Sequence, residues 1–161
     1  MRKVFGLIFT LLVAAPSMAQ YNGIGFGGYL QAGNPHEAGG LNMKFFLSQR
    51  HAIDAQLSIQ MSPLAKSMGA YGTYLFHWWD ALPINKGAIP LYIGPNLGFG
   101  VWDGGFTIRG GAIAGLAYAL PKGTAPLDFY LQLNPAIEVD FVDKTHASFN
   151  LYLQFGIRFY I

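Results

Sequence analysis

The chain lacks cysteine and has little charge. The absence of cysteine among its 161 residues excludes disulfide bonds, thiol catalysis, cysteine-based metal sites and a lipid anchor on an N-terminal cysteine. Charged residues make up only 11% of the chain, whereas average soluble domains carry about 25%. Hydrophobic residues, at 52%, are abundant. The sequence therefore has less charge than a water-exposed surface usually carries.

Long hydrophobic runs are also missing. After residue 20, no apolar run approaches the roughly 20 residues that a membrane-spanning helix needs. An apolar composition without such a helix leaves two fold classes, a soluble protein with a large core or a transmembrane β-barrel.

The N-terminus has the pattern of a cleaved export signal. Two basic residues begin the chain, residues 4–15 are apolar, and small residues follow. We predict cleavage after Ala19, which makes 1–19 a signal peptide and 20–161 the mature barrel domain. The alternative is an uncleaved anchor helix, for which the apolar run is short. Cleavage removes two of the ten Lys and Arg residues and leaves a nearly neutral chain. No nucleic-acid partner is expected, because a basic patch is missing.

From residue 22 onward, apolar and polar residues alternate with period two, which is the signature of β-strands. The clearest strand is the last, where seven large apolar residues alternate between Phe149 and Ile161. An even number of strands with short turns predicts an all-β fold, an eight-stranded antiparallel up-and-down transmembrane β-barrel. We predict the strands at about 22–32, 40–49, 51–61, 69–79, 89–101, 106–120, 127–141 and 147–161.

One face of each clear strand is apolar and the other carries most of the charge. A strand of ~9–11 residues crosses a bilayer, and a membrane barrel needs its apolar face outward and its polar face inward. Buried charges are expected to pair and to fill a narrow lumen. The alternative is an ion- or proton-conducting path. The predicted lumen polar network consists of Lys44, Asp54, His77, Arg109, Asp128, Glu138 and Arg158.

Aromatic residues cluster at predicted strand ends, as in the girdles that flank a membrane. The alternative is that they are ordinary core or turn aromatics. The predicted girdle consists of Trp78, Trp79, Trp102, Phe159 and Tyr160.

Five segments of the chain carry a family resemblance: LNMKFFLSQRHAIDA (41–55), YLFH (74–77), PLYIG (90–94), APLDFYL (125–131) and GIRFYI (156–161). The run from 40 to 161, which contains them, resembles a group of small bacterial outer-membrane β-barrels of uncharacterised function, including spirochaete surface barrels, with the eight-stranded shape of the OmpA and OmpX type. The last strand is similar to the C-terminal signal read by the outer-membrane insertion machinery, although it ends on Ile161 where the usual final residue is Phe.

The resemblance implies an integral protein of the bacterial outer membrane. We expect a structural or surface-binding role, because the connections are short and polar side chains are expected to fill the lumen. Its expected partners are the lipid bilayer and the insertion machinery. Both termini should face the periplasm, so any extracellular ligand would meet the short connections at about 33–39, 62–68, 102–105 and 142–147.

Three alternatives stay open: a narrow channel, a lipid A-modifying enzyme, and a soluble lipocalin-like carrier of hydrophobic ligands. The carrier would have its apolar side chains in the cavity. The enzyme hypothesis depends on His146 and Ser148, which are similar to the His/Ser pair of lipid A deacylases, with Asp143 or Glu138 as the third group. This motif is short, and we expect no enzyme activity. Scattered histidines predict no metal site, and no cofactor is expected.

Overall fold

The structure, a computed structural model, describes residues 23–33, 38–61, 66–102, 104–121, 123–142 and 144–161. The predicted signal peptide with its cleavage after Ala19, Asp143, and parts of the predicted connections lie outside the described residues.

The described residues form eight β-strands, as the alternation predicted. Most bounds lie within two residues of the predicted ones, and the fourth strand is longer than expected at both ends. The strands are β1 (Ile24–Gly33), β2 (Ala38–Phe46), β3 (His51–Met61), β4 (Lys66–Leu82), β5 (Ile89–Trp102), β6 (Gly105–Ala119), β7 (Leu127–Phe141) and β8 (His146–Tyr160).

Each strand pairs antiparallel with the next, and β1 pairs with β8, so the sheet closes into a barrel. At the seam, the backbone amide of Ile161 donates to the carbonyl oxygen of Ile24 at 3.0 Å. Closure pairs the backbone groups that an open sheet would leave free at its edges. We call the end of the barrel that carries Ile24 and Ile161 the terminus end, and the other end the far end.

Alternation along the strands separates two faces, because successive side chains in a strand point to opposite sides. In β4, Thr73, Leu75 and His77 are buried inside, whereas Tyr74 and Trp78 are exposed outside. The soluble carrier would require the opposite arrangement of apolar and polar faces. The exposed outer residues of β8, with the same alternation, are Phe149, Leu151, Leu153, Phe155, Ile157 and Phe159.

Tyrosine rings fill much of the lumen, and glycines on neighbouring strands make room for them. Tyr130 and Gly156 are partners across β7 and β8, and a Cβ on Gly156 would lie 2.5 Å from the Tyr130 ring. Tyr92 and Gly115 have the same relationship across β5 and β6, at 2.7 Å. These pairs let large rings lie flat against the inner wall of a narrow barrel.

Candidate functional site

The lumen residues near the terminus end form a buried charged cluster around Arg158. Its Nη2 donates to Oδ2 of Asp54 at 2.7 Å, and its Nη1 lies 3.5 Å from Oδ2 of Asp128. The guanidinium also lies 3.7 Å from the centre of the Tyr130 ring. Arg158 is fully buried, so both carboxylates and the ring replace the water that its charge has lost.

The strand register places these charges together. Asp128 and Arg158 are direct partners across β7 and β8, and Lys44 and Asp54 are direct partners across β2 and β3. Barrel closure then brings the two pairs face to face across the lumen. The cluster therefore combines two cations with two carboxylates, which balance in formal charge.

Aromatic rings surround the Lys44 ammonium and close the terminus end. The ammonium lies 5.0 Å from the ring centres of both Phe46 and Tyr92, a cation–π geometry. His77 stacks against Trp79, with ring centres 6.0 Å apart. Trp79 donates from its indole nitrogen to the carbonyl oxygen of Gln49 at 2.6 Å. This end of the lumen is thus packed with rings.

A layer of buried amides lies at mid-lumen. Gln154 donates to Gln31 at 2.6 Å and to Gln56 at 3.3 Å, and it accepts from Gln132. Tyr92 donates to Gln132 at 2.9 Å, which links the amide layer to the rings below. The predicted network omitted these residues, although they belong to the polar sets of their strands. The signal was present in the alternation, but uncharged amides gave no reason to single them out.

A second charged group lies toward the far end. Arg109 and Glu138 are direct partners across β6 and β7 and form an ion pair. The Arg109 guanidinium is enclosed by two rings, with its carbon 4.4 Å from the centre of Tyr71 and 4.1 Å from that of Tyr152. Glu138 also accepts from Asn150 at 2.7 Å. This group has the same components as the cluster around Arg158: a cation, a carboxylate partner and aromatic rings packed on the cation.

The structure places all seven residues of the predicted lumen network on the inner face, but in two groups. We call the cluster around Arg158 the terminus group, and the ion pair with its surrounding rings toward the other end the far group. Arg109 and Glu138 belong to the far group. Lys44, Asp54, His77, Asp128 and Arg158 belong to the terminus group or adjoin it.

The predicted aromatic girdle needs correction at two positions. Trp78 and Phe159 face outward with 38% and 46% of their surface exposed. Trp79 and Tyr160 point into the lumen and are only 6% and 4% exposed, because the neighbour of an outward residue in a strand points inward. Tyr160 donates there to Asp128 at 2.6 Å. Trp102 is half-buried at the far end of β5, where it pairs with Gly105.

His146 and Ser148 lie at the far end of β8, opposite Asp140 and Glu138 in the register. His146 is exposed and Ser148 is half-buried. The Ser148 hydroxyl oxygen accepts from Asn150 at 3.1 Å.

Among the described residues, no group of three or more His, Asp or Glu side chains could hold a metal ion. Those residues also include no helix that is long and apolar enough to cross a membrane.

Comparison with solved structures places the chain among eight-stranded antiparallel barrels. It is similar to the N-terminal β-barrel domain of Pseudomonas aeruginosa OprF, with a TM-score of 0.53 and 10% identity, over 87% of this chain and 98% of that one. It is also similar to Neisserial surface protein A (NspA), with a TM-score of 0.54 and 9% identity, over 86% of this chain and 96% of that one. At these identities the likeness concerns the fold alone. No family model and no curated protein matches the sequence. The finer resemblance to spirochaete barrels stays a prediction.

Proposed function

We propose that the protein is an integral β-barrel of the bacterial outer membrane, with a structural or surface-binding role and a lumen filled by side chains. The observation that carries this proposal is the separation of charge from the outer wall. Every outward-facing position of β5 to β8 is uncharged, and the acidic and basic side chains of these strands, Arg109, Asp128, Glu138, Asp140 and Arg158, belong to the inner face. On β4, the outward Asp80 lies near the terminus end, where it would meet the bilayer surface.

Such a wall is suited to lipid and not to water. Soluble monomers rarely expose a continuous apolar patch larger than a few hundred Å², whereas here bulky apolar side chains are exposed on all eight strands. A closed sheet also satisfies the other requirement of a bilayer, since its backbone groups are paired within the protein. The fold shared with a protein named as a Neisserial surface protein supports the same assignment.

The filled lumen favours a structural or surface-binding role over conduction. Eight-stranded barrels have an interior just wide enough for side chains to fill, and in this one two ion-pair groups and an amide layer occupy it. The proposal includes no catalytic role. The hydrogen bond that the structure gives the Ser148 hydroxyl comes from the Asn150 amide, and an amide cannot act as the base that activates a nucleophilic serine.

Heat-modifiability in detergent tests the proposal. The chain from residue 20 is refolded into detergent and into phospholipid vesicles, and then run on SDS gels with and without boiling. We expect the unboiled protein to migrate faster and to give a β-type circular dichroism spectrum. A chain that folds in buffer without detergent, and shows no gel shift, would disprove the membrane assignment.

A further inference from the structure

The outer wall of the barrel is not evenly convex, and a groove of about 760 Å³ runs across it between β1 and β6. This volume falls within the ~300–1,000 Å³ of small-molecule sites. None of the fifteen residues that line the groove is charged. Its polar lining residues belong to the inner face of the sheet, where Asn42 and Gln56 are buried and Tyr71 packs on Arg109. The groove is therefore an apolar depression within the apolar wall.

Small residues on two adjacent strands open the groove. Ala55 and Gly72 are direct partners across β3 and β4, and Leu57 and Ala70 are partners one step further along. A Cβ added to Gly72 would meet no atom within 4 Å. The wall is thus thinnest around these alanines and this glycine, with open space above them.

Bulky side chains rise on both sides of this floor. Leu41 and Met43 of β2 stand on one side, and Leu97 and Phe99 of β5 stand on the other. Leu41, Leu97 and Phe99 each have more than half of their surface exposed. The depression therefore has a floor of Ala55, Ala70 and Gly72, with the exposed Leu57 beside it, between two apolar ridges.

We infer that this groove holds one acyl chain of a membrane phospholipid. The inference rests on the proposed function, because the groove is continuous with the wall that would face lipid. An uncharged lining recognises hydrocarbon and not a headgroup. A flexible chain can follow the floor between the ridges, whereas the wall of a second barrel would touch only the exposed tips of Leu41, Leu97 and Phe99.

Lipid retention measured by native mass spectrometry tests this inference. The full mature barrel is reconstituted in vesicles of palmitoyl-oleoyl phosphatidylcholine, extracted in mild detergent, and analysed for bound phospholipid. Gly72→Leu and Ala70→Leu would each place a side chain in the groove. Ala114→Leu is the matched control, because Ala114 is also exposed on the outer wall, but on β6 outside the groove.

We expect the native chain and Ala114→Leu to retain one phospholipid per barrel. Each groove variant should retain about tenfold less phospholipid than the native chain. Burial of one methylene contributes ~0.8 kcal/mol to lipid binding, so the loss of two such contacts lowers the affinity about tenfold. Equal retention by all four proteins would overturn the inference. The native chain could instead be a dimer without bound lipid, with the dimer lost only in the groove variants. That result would assign the groove to a second copy of the chain and would also overturn the inference.

Failure of this inference is distinguishable from failure of the proposed function. Each protein is first checked for the gel shift on vesicles. A native chain that shows no shift contradicts the membrane assignment itself. A native chain that shifts but retains no lipid contradicts the groove alone. Two groove variants are used so that a folding defect in one leaves the other as the test.

Discussion

Asp54 and Arg158 lie 104 positions apart in the chain, yet Nη2 of Arg158 donates a hydrogen bond of 2.7 Å to Oδ2 of Asp54. Their strands, β3 and β8, are not neighbours in the sheet, since β1 and β2 lie between them. The contact therefore crosses the lumen. It exists because the sheet closes, and together with the contact to Asp128 it makes Arg158 a link between β3 and β7.

We predict that Arg158→Met strongly destabilises the barrel. The change leaves two buried carboxylates, Asp54 and Asp128, with Lys44 as the one cation of their cluster. Removal of one partner from a buried ion pair costs about 3–5 kcal/mol. The measurement is the free energy of unfolding in urea, with the protein in phospholipid vesicles.

Charge and packing are separated by a second variant. Arg158→Met combined with Asp128→Asn should recover much of the lost stability, because the remaining charges, Lys44 and Asp54, are register partners and balance each other. Lys144→Met, at an exposed connection, should change the stability by no more than about 0.5 kcal/mol. If the double variant is as unstable as the single one, the packing of Arg158 on Tyr130 accounts for the loss of stability, and the charge does not.

A side chain at Gly156 should disturb the lumen. Gly156→Val would drive its Cβ into the Tyr130 ring, 2.5 Å away, and overpacking of this kind costs about 1–3 kcal/mol. Gly72→Ala is the control, because its Cβ meets open space. The fraction that stays folded on SDS gels as the temperature rises compares the two. Equal melting would mean that the ring moves aside without loss.

The two adjacent tryptophans should respond differently to lipid. Trp78 faces outward and Trp79 faces the lumen, so brominated phospholipids should quench the fluorescence of Trp78 far more. Variants that keep one tryptophan each, with phenylalanine at the other two positions, make the comparison in vesicles. Similar quenching of both would contradict the inward placement of Trp79.

Ser148→Ala should leave membrane lipids unchanged. The hydroxyl accepts from Asn150, and the proposed function assigns it no chemistry. Mass spectrometry of lipid A and phospholipids compares cells that express the native chain, Ser148→Ala, or neither. If lipid A or a phospholipid loses an acyl chain only in cells that express the native chain, the protein is an enzyme.

The native barrel should show no discrete conductance in planar bilayers, since ion pairs and amides occupy the lumen. Arg109→Ala removes a cation from between the rings of Tyr71 and Tyr152 and tests whether the far group closes the path. If the native chain gives steady conductance steps, and Arg109→Ala changes the size of those steps, the channel hypothesis is favoured.

The amino-acid sequence by itself determined the strands and the face to which most side chains belong. Alternation has a period of two, and this period is a local property of the chain, so the inward positions of Lys44, Arg109 and Glu138 could be predicted. The girdle prediction was wrong at Trp79 and Tyr160 because it relied on nearness to strand ends and set the same alternation aside.

Only the tertiary structure decided which inward residues meet. Register and closure place Arg158 beside Asp54 and place Arg109 with Glu138 in a separate group, and neither can be derived from one strand alone. The groove is likewise a tertiary feature. Ala55, Ala70 and Gly72 are ordinary outward residues in the sequence, and they form a floor only because β3 and β4 align them between the ridges of β2 and β5.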